Sequence, residues 1–284
     1  MRGRGTSHGA GTIVNAIANG RGAAFGVDLR TEAEVELDSS GVIEVRIEGF
    51  EREGTELAER CVRNVLAREA SREGYGAKVT TRSQIPISRG LKSSSAAANA
   101  IVLATLDALG VELEPLKTIR IGTKSAIEAK VSLTGAFDDA CASMLGGVVL
   151  TDNRTERLLK RTRLPDGLKV VLHVPGFQVR KGSVPLDRFR TVAPAAQAAF
   201  ERARRGAYQE AMVINSLACT SALGLSMEPT YRALAASAFA AGLSGTGPAT
   251  AILVDEGKLS DIRSLFDEKE LIVADVYVDE EVRR

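Results

Sequence analysis

The stretch PISRGLKSSSAAANA, Pro86 to Ala100, sets a glycine, a lysine and three consecutive serines directly ahead of an alanine-rich run. Such a run is helical, and a helix N-terminus presents unpaired backbone N–H groups and a partial positive charge, which together bind anions such as phosphate. Gly90 permits close backbone approach, Lys92 adds a point charge, and the serine hydroxyls supply donors that also suit magnesium. Small Ala96 to Ala98 let the first turn sit tight against a ligand or a strand. An ordinary serine N-cap would account for one serine but not for three with Gly90 and Lys92.

Two further clusters carry chemistry. LTGAFDDACASMLGG holds the adjacent carboxylates Asp138 and Asp139 between Gly135 and Gly146–Gly147. Successive helical residues point about 100° apart, so one of the two should face a ligand. At the start of a short helix the dipole should hold both pKa values down, which makes either a weak general base. GLSGTGPATAILV, near the C-terminus, offers a tight glycine turn ahead of a strand. Cys61, Cys141 and Cys219 stand alone and His8 and His173 are the only histidines, so no thiolate or imidazole metal cluster and no disulfide framework is expected. Any metal should be a hard, oxygen-liganded ion such as magnesium.

The elements that must position these residues follow from periodicity. GTIVNAIANG, GAAFGVDLRTEAEVELD and GVIEVRIEG read as strands in an antiparallel start; Glu56 to Glu73 reads as a helix and GAKVTTRSQIPI as a strand ending at Pro86. The quoted loop therefore joins strand to helix. Helices are expected over Ser95 to Leu109 and Pro115 to Lys130, then a short helix to Met144 and a strand in GGVVLTD. Beyond a lobe boundary near residue 155 come a strand at 168–174, helices near 187–204, 207–224 and 228–241, and a final strand LIVADVYVD. The expected domains are thus 1–155 and 156–284 of a chain of 284 residues, long enough for two lobes.

Hydrophobic content of 44%, charged content of 26% and a net charge of +1 are those of a soluble, cytoplasmic globular protein. The mixed charges disfavour a nucleic-acid partner, and no apolar run suggests a membrane span. No GxxxxGK[ST] loop occurs, and no GxGxxG follows a strand.

PISRGLKSSSAAA resembles the phosphate loop of the GHMP kinases, the superfamily of galactokinase, homoserine kinase, mevalonate kinase and phosphomevalonate kinase, with Lys92 as one extra residue. The Asp138 segment and GLSGTGPATAILV resemble that superfamily's second and third motifs, in the expected order, and SHGAGTIVNAIANGRGAAFGVDL resembles the start of the archaeal-type shikimate kinases. The resemblance covers essentially the whole chain. It implies a two-lobe α+β fold, an N-terminal lobe like ribosomal protein S5 domain 2 and a ferredoxin-like C-terminal sandwich, acting as an ATP- and Mg2+-dependent kinase on a small alcohol. Shikimate as the acceptor rests on the resemblance alone; homoserine or mevalonate, or a regulator that binds nucleotide without chemistry, are the alternatives.

Carried onto this chain, the resemblance assigns nucleotide contacts to Pro86, Ser88, Arg89, Gly90, Leu91, Lys92, Ser93, Ser94, Ser95 and Ala96, and to Ser244, Gly245 and Thr246 of the third motif. It assigns magnesium to Ser94 or Ser95, the extra residue leaving the register open, and to Glu128, which could equally pair with Lys124 one turn back. Asp138 matches the aspartate credited with activating the acceptor hydroxyl. Some GHMP kinases place an N-terminal lysine near the transferred phosphate; here the first lysine is Lys78, and Arg2, Arg4, Arg21 or Lys92 could supply that charge. An acceptor carboxylate would want a guanidinium, for which Arg21 is the candidate, with Asp28 beside it for hydroxyls.

Overall fold

Burial alternates through the first half of Arg2–Val14 (β1) and through the second half of Arg21–Asp38 (β2), and the two pair antiparallel from Arg2 opposite Glu36 to Val14 opposite Ala23. In this computed structural model, which describes residues 1–50, 53–70, 74–86, 90–132, 134–177 and 184–279, β2 is the spine of the first sheet. Its first residues pair with Val148–Asp152 (β5) and its last with Gly76–Ser83 (β4). Ile43–Ile47 (β3) adds to β4 in parallel, and Arg157–Thr162 (β6) adds to β5 antiparallel. Glu56–Glu69 (α1), Ser93–Leu109 (α2) and Phe137–Leu145 (α4) pack on this sheet, and Pro115–Glu128 (α3) packs on those three helices. The second of these is apolar all round because it is enclosed by β1, β2 and the other three helices.

Leu168–His173 (β7), Ala240–Leu243 (β8), Thr250–Asp255 (β9) and Leu271–Asp275 (β10) form a second, antiparallel sheet in the order β10-β7-β9-β8. Leu186–Thr191 (α5), Ala193–Arg204 (α6), Tyr208–Leu223 (α7), Glu228–Ala235 (α8) and Leu259–Arg263 (α9) complete the C-terminal half. One core runs through both halves, joining Phe25 and Leu150 of the first sheet to Leu172 and Leu253 of the second through Phe200 and Met212. The α+β architecture expected from the sequence is the one observed.

The departures are local and physical. The first strand lies earlier than expected: it starts at Arg2 and stops at Val14, because Asn15 folds the chain into a turn by accepting the Ile17 N–H on its own side chain. The turn places Asn15, Ala16 and Ile17 in the central cleft. The helix expected over 228–241 ends at Ala235; Ser237 adopts a left-handed φ of 64° and the alanines that follow form β8. The first sheet runs past residue 155 through β6, an edge strand whose arginines and lysine hid its period. Beyond β10, Val276 and Val278 bridge back to Val27 and Gly146 of the N-terminal half.

Candidate active site

The loop ahead of α2 ends in Lys92, which caps the helix with a left-handed backbone, φ 67°, and makes no side-chain capping bond. None of the serines is the N-cap, and no acidic residue occupies the first turn. The positive end of the helix therefore stands beside the serines, and Ser93, Ser94 and Ser95 all line a cleft of about 580 Å³. Gly90 also lines it, with φ +83°; a Cβ there would stand 2.3 Å from the Ser244 carbonyl oxygen. Leu91 and Ala96 are buried in the core, so with half-buried Pro86 they support the loop from beneath and do not line the cleft. Ser88 and Arg89 lie outside the described residues.

Opposite the loop, Asp138 and Asp139 occupy the first turn of α4, 3% and 6% exposed, and both line the cleft. They have different partners, as positions 100° apart require. Lys92 Nζ reaches Asp139 Oδ2 at 2.7 Å, with both side chains about nine-tenths buried. Asn153 Nδ2 donates to Asp138 Oδ1 at 2.7 Å. Gly22 of β2 leaves room for the other oxygen, since a Cβ there would stand 2.3 Å from Asp138 Oδ2. The expected depression by the helix dipole does not prevail at Asp138. Burial first, and then the charge of Asp139, push its carboxyl up to about 7 against the opposing pull of Lys92 and Asn153.

The third motif closes the floor. Ser244 is fully buried and donates its hydroxyl to the Gly90 carbonyl at 2.9 Å, a buttress for the phosphate loop, while Gly245 and Thr246 line the cleft. The Gly245 N–H donates to Thr12 Oγ1 at 2.9 Å, and Asn15 Nδ2 donates to the Gly245 carbonyl at 2.8 Å. The Asn15 N–H in turn donates to Asn215 Oδ1 of α7, so both halves meet on this turn.

Three expected site residues are not brought here. Glu128 pairs with Lys124 at 3.7 Å and accepts from Asn64 at 2.9 Å, the helix-surface arrangement open to it from the start, and it does not line the cleft. Arg21 is exposed and stacks over Phe200, 5.7 Å from the ring centre, on the other face of β2 from Gly22. Asp28 is tied to Arg30 and His8. Of the cations weighed for the transferred phosphate, Arg2 and Arg4 both pair with Glu34, and Lys92 is the one beside the aspartates.

Asn153, Asn15 and Lys130 also build the site but escaped the sequence. Lys130 lines the cleft from a left-handed position just past α3, φ 57°, where the sequence continued the helix. Asn15 carried a weak signal, one amide within the apolar run TIVNAIA; Asn153 carried none, because its place depends on strand register.

Among the described residues no group of three or more His, Cys, Asp or Glu could hold a metal by itself. Ser94 and Ser95 nevertheless line the same cleft as Asp139, whose buried Oδ1 has no hydrogen-bond partner. Hard oxygen donors with one acceptor unsatisfied fit a magnesium ion shared with a polyphosphate.

Residues 56–147 match the GHMP kinases N-terminal domain. The shikimate kinase of Methanothrix thermoacetophila is 51% identical over 92% of this chain and 88% of its own length, and that of Methanocella arvoryzae is 47% identical over the same shares. Among solved structures, homoserine kinase from Cytophaga hutchinsonii superposes with a TM-score of 0.75 at 17% identity, covering 97% of this chain and 95% of that one. Among the described residues no helix is long and apolar enough to cross a membrane.

Proposed function

The chain belongs to the shikimate kinases of the GHMP kinase family, and from that premise we propose that it transfers the γ-phosphoryl group of ATP to shikimate, giving 3-phosphoshikimate and ADP. The observation that carries this reading is the meeting, in one cleft, of the N-terminus of α2 and its serines with a buried aspartate pair served by one lysine.

The acceptor hydroxyl oxygen bonds to the γ-phosphorus as that phosphorus parts from the bridging oxygen, which leaves on ADP. Asp138 takes the hydroxyl proton. A carboxyl pushed up to about 7 is a competent base near neutral pH. The N–H groups of the first turn of α2 receive phosphate oxygens, and Lys92, held by Asp139, offsets the charge of the group in transit. We assign magnesium to Ser94 and Ser95, which would hold the ion, and the ion would supply charge neutralisation for the phosphates. Glu128 is not part of this set. Nothing in the scheme calls for a membrane or a nucleic acid, and we take the reaction to run in the cytoplasm.

A coupled assay of ADP release across shikimate, homoserine and mevalonate tests the acceptor. Shikimate should exceed the other two by roughly a hundredfold or more in kcat/KM, the discrimination available to a site that hydrogen-bonds several hydroxyls. A preference for homoserine or mevalonate would move the chain to another acceptor, and bound ATP with no ADP release in the presence of any of the three would favour the regulator.

A further inference from the structure

Asp138 is held by two buried side chains that never reach the cleft. In β5, Thr151 donates its hydroxyl to Asn153 Oδ1 at 2.7 Å, and Asn153 Nδ2 donates to Asp138 Oδ1 at 2.7 Å. Thr151 and Asn153 are 0% and 6% exposed, and neither lines the cleft. An amide oxygen only accepts and an amide nitrogen only donates. With the threonine proton on its oxygen, Asn153 must turn its NH2 toward the aspartate; the reverse orientation would set two oxygens against each other at 2.7 Å.

Strand register builds this chain. Gly22 of β2 lies opposite Thr151 of β5, so the glycine that clears space for one oxygen of Asp138 and the threonine that begins the relay are a cross-strand pair. The carboxylate is thereby bracketed, with Gly22 against one oxygen and the Asn153 amide on the other.

We propose that Thr151 and Asn153 are positioning residues for the phosphoryl transfer: they fix the Asp138 carboxylate so that one oxygen is occupied and the other is left to receive the acceptor hydroxyl. This rests on the kinase reading above. Neither residue lines the cleft, so both act on kcat and leave the two KM values alone.

The test uses Asn153→Leu, Thr151→Val and Thr151→Ser in the full chain, with melting curves to verify folding. Asn153→Leu should lower kcat by roughly ten- to a hundredfold, the cost of a misplaced reacting group, with both KM values within about threefold of wild type. Thr151→Val should lower kcat by about fivefold, the worth of one hydrogen bond, and Thr151→Ser should restore it. Wild-type kcat in Asn153→Leu or Thr151→Val, a raised KM at constant kcat, or no difference between valine and serine at position 151 would overturn the relay. If Asn153→Leu does not fold, the valine and serine pair decides alone. A crystal structure of Thr151→Val reads the relay without any acceptor: the Asn153 amide or the Asp138 carboxylate should leave its wild-type orientation, and unmoved side chains would overturn the proposal. A wild type that makes no 3-phosphoshikimate would overturn the assigned reaction, a result distinct from either.

Discussion

Asp138 combines burial, a neighbouring carboxylate, and a lysine and an amide that only partly offset them, and the balance raises its carboxyl to about 7, where it can exchange a proton near neutral pH. Asp138→Asn keeps the size and can accept from Asn153 through its own oxygen. It should leave ATP binding nearly intact and lower kcat by roughly a hundredfold or more, as expected for a general base. The same substitution has a stability signature. A carboxyl whose folded-state pKa is raised above its unfolded value stabilises the fold fully below that unfolded value and loses the contribution as pH rises through the folded value, here about 7. Asp138→Asn should therefore melt above wild type at pH 8, with the gap closing toward pH 4. Thermal melts at the two pH values check this; a variant that melts below wild type at pH 8 would mean that the ionised carboxylate is stabilising where it sits.

At the scale of elements, the start of α2 separates a binding role from a capping role. Lys92, not a serine, is the N-cap, so Ser94→Ala combined with Ser95→Ala should cost less than the roughly 1 kcal/mol of a lost cap while weakening Mg-nucleotide binding and turnover together. Melting curves beside steady-state kinetics distinguish the two, and a destabilised double mutant with normal kinetics would return the loop to structure alone. The same helix was legible from sequence because its cues are local: an alanine run, a glycine and clustered donors. So was the α4 turn with its aspartates. What failed to show was set at a distance. The place of Asn153 depends on the register of β5 against β2, and Ser237 broke a helix that alanine content favoured. Arg21 and Asp28 stand in the N-terminal stretch that resembles the shikimate kinases, but alternation along β2 turns Gly22, not Arg21, toward Asp138, so that stretch seats the base.

Across the whole molecule, the two halves share a core and meet again at the cleft, where the third motif is bonded to Thr12, Asn15 and the Gly90 carbonyl. The phosphate loop and the aspartates belong to the first half and their buttress to the second, so the site is complete only in the assembled chain. The central claim is that this assembly moves a phosphoryl group to shikimate and not to water. Phosphorus NMR of wild-type protein with MgATP and shikimate tests it most directly. Loss of the γ-phosphate resonance should be matched one for one by ADP and by a new phosphomonoester resonance, and Asp138→Asn should slow both together. ADP that accumulates with inorganic phosphate and no phosphomonoester would contradict the account.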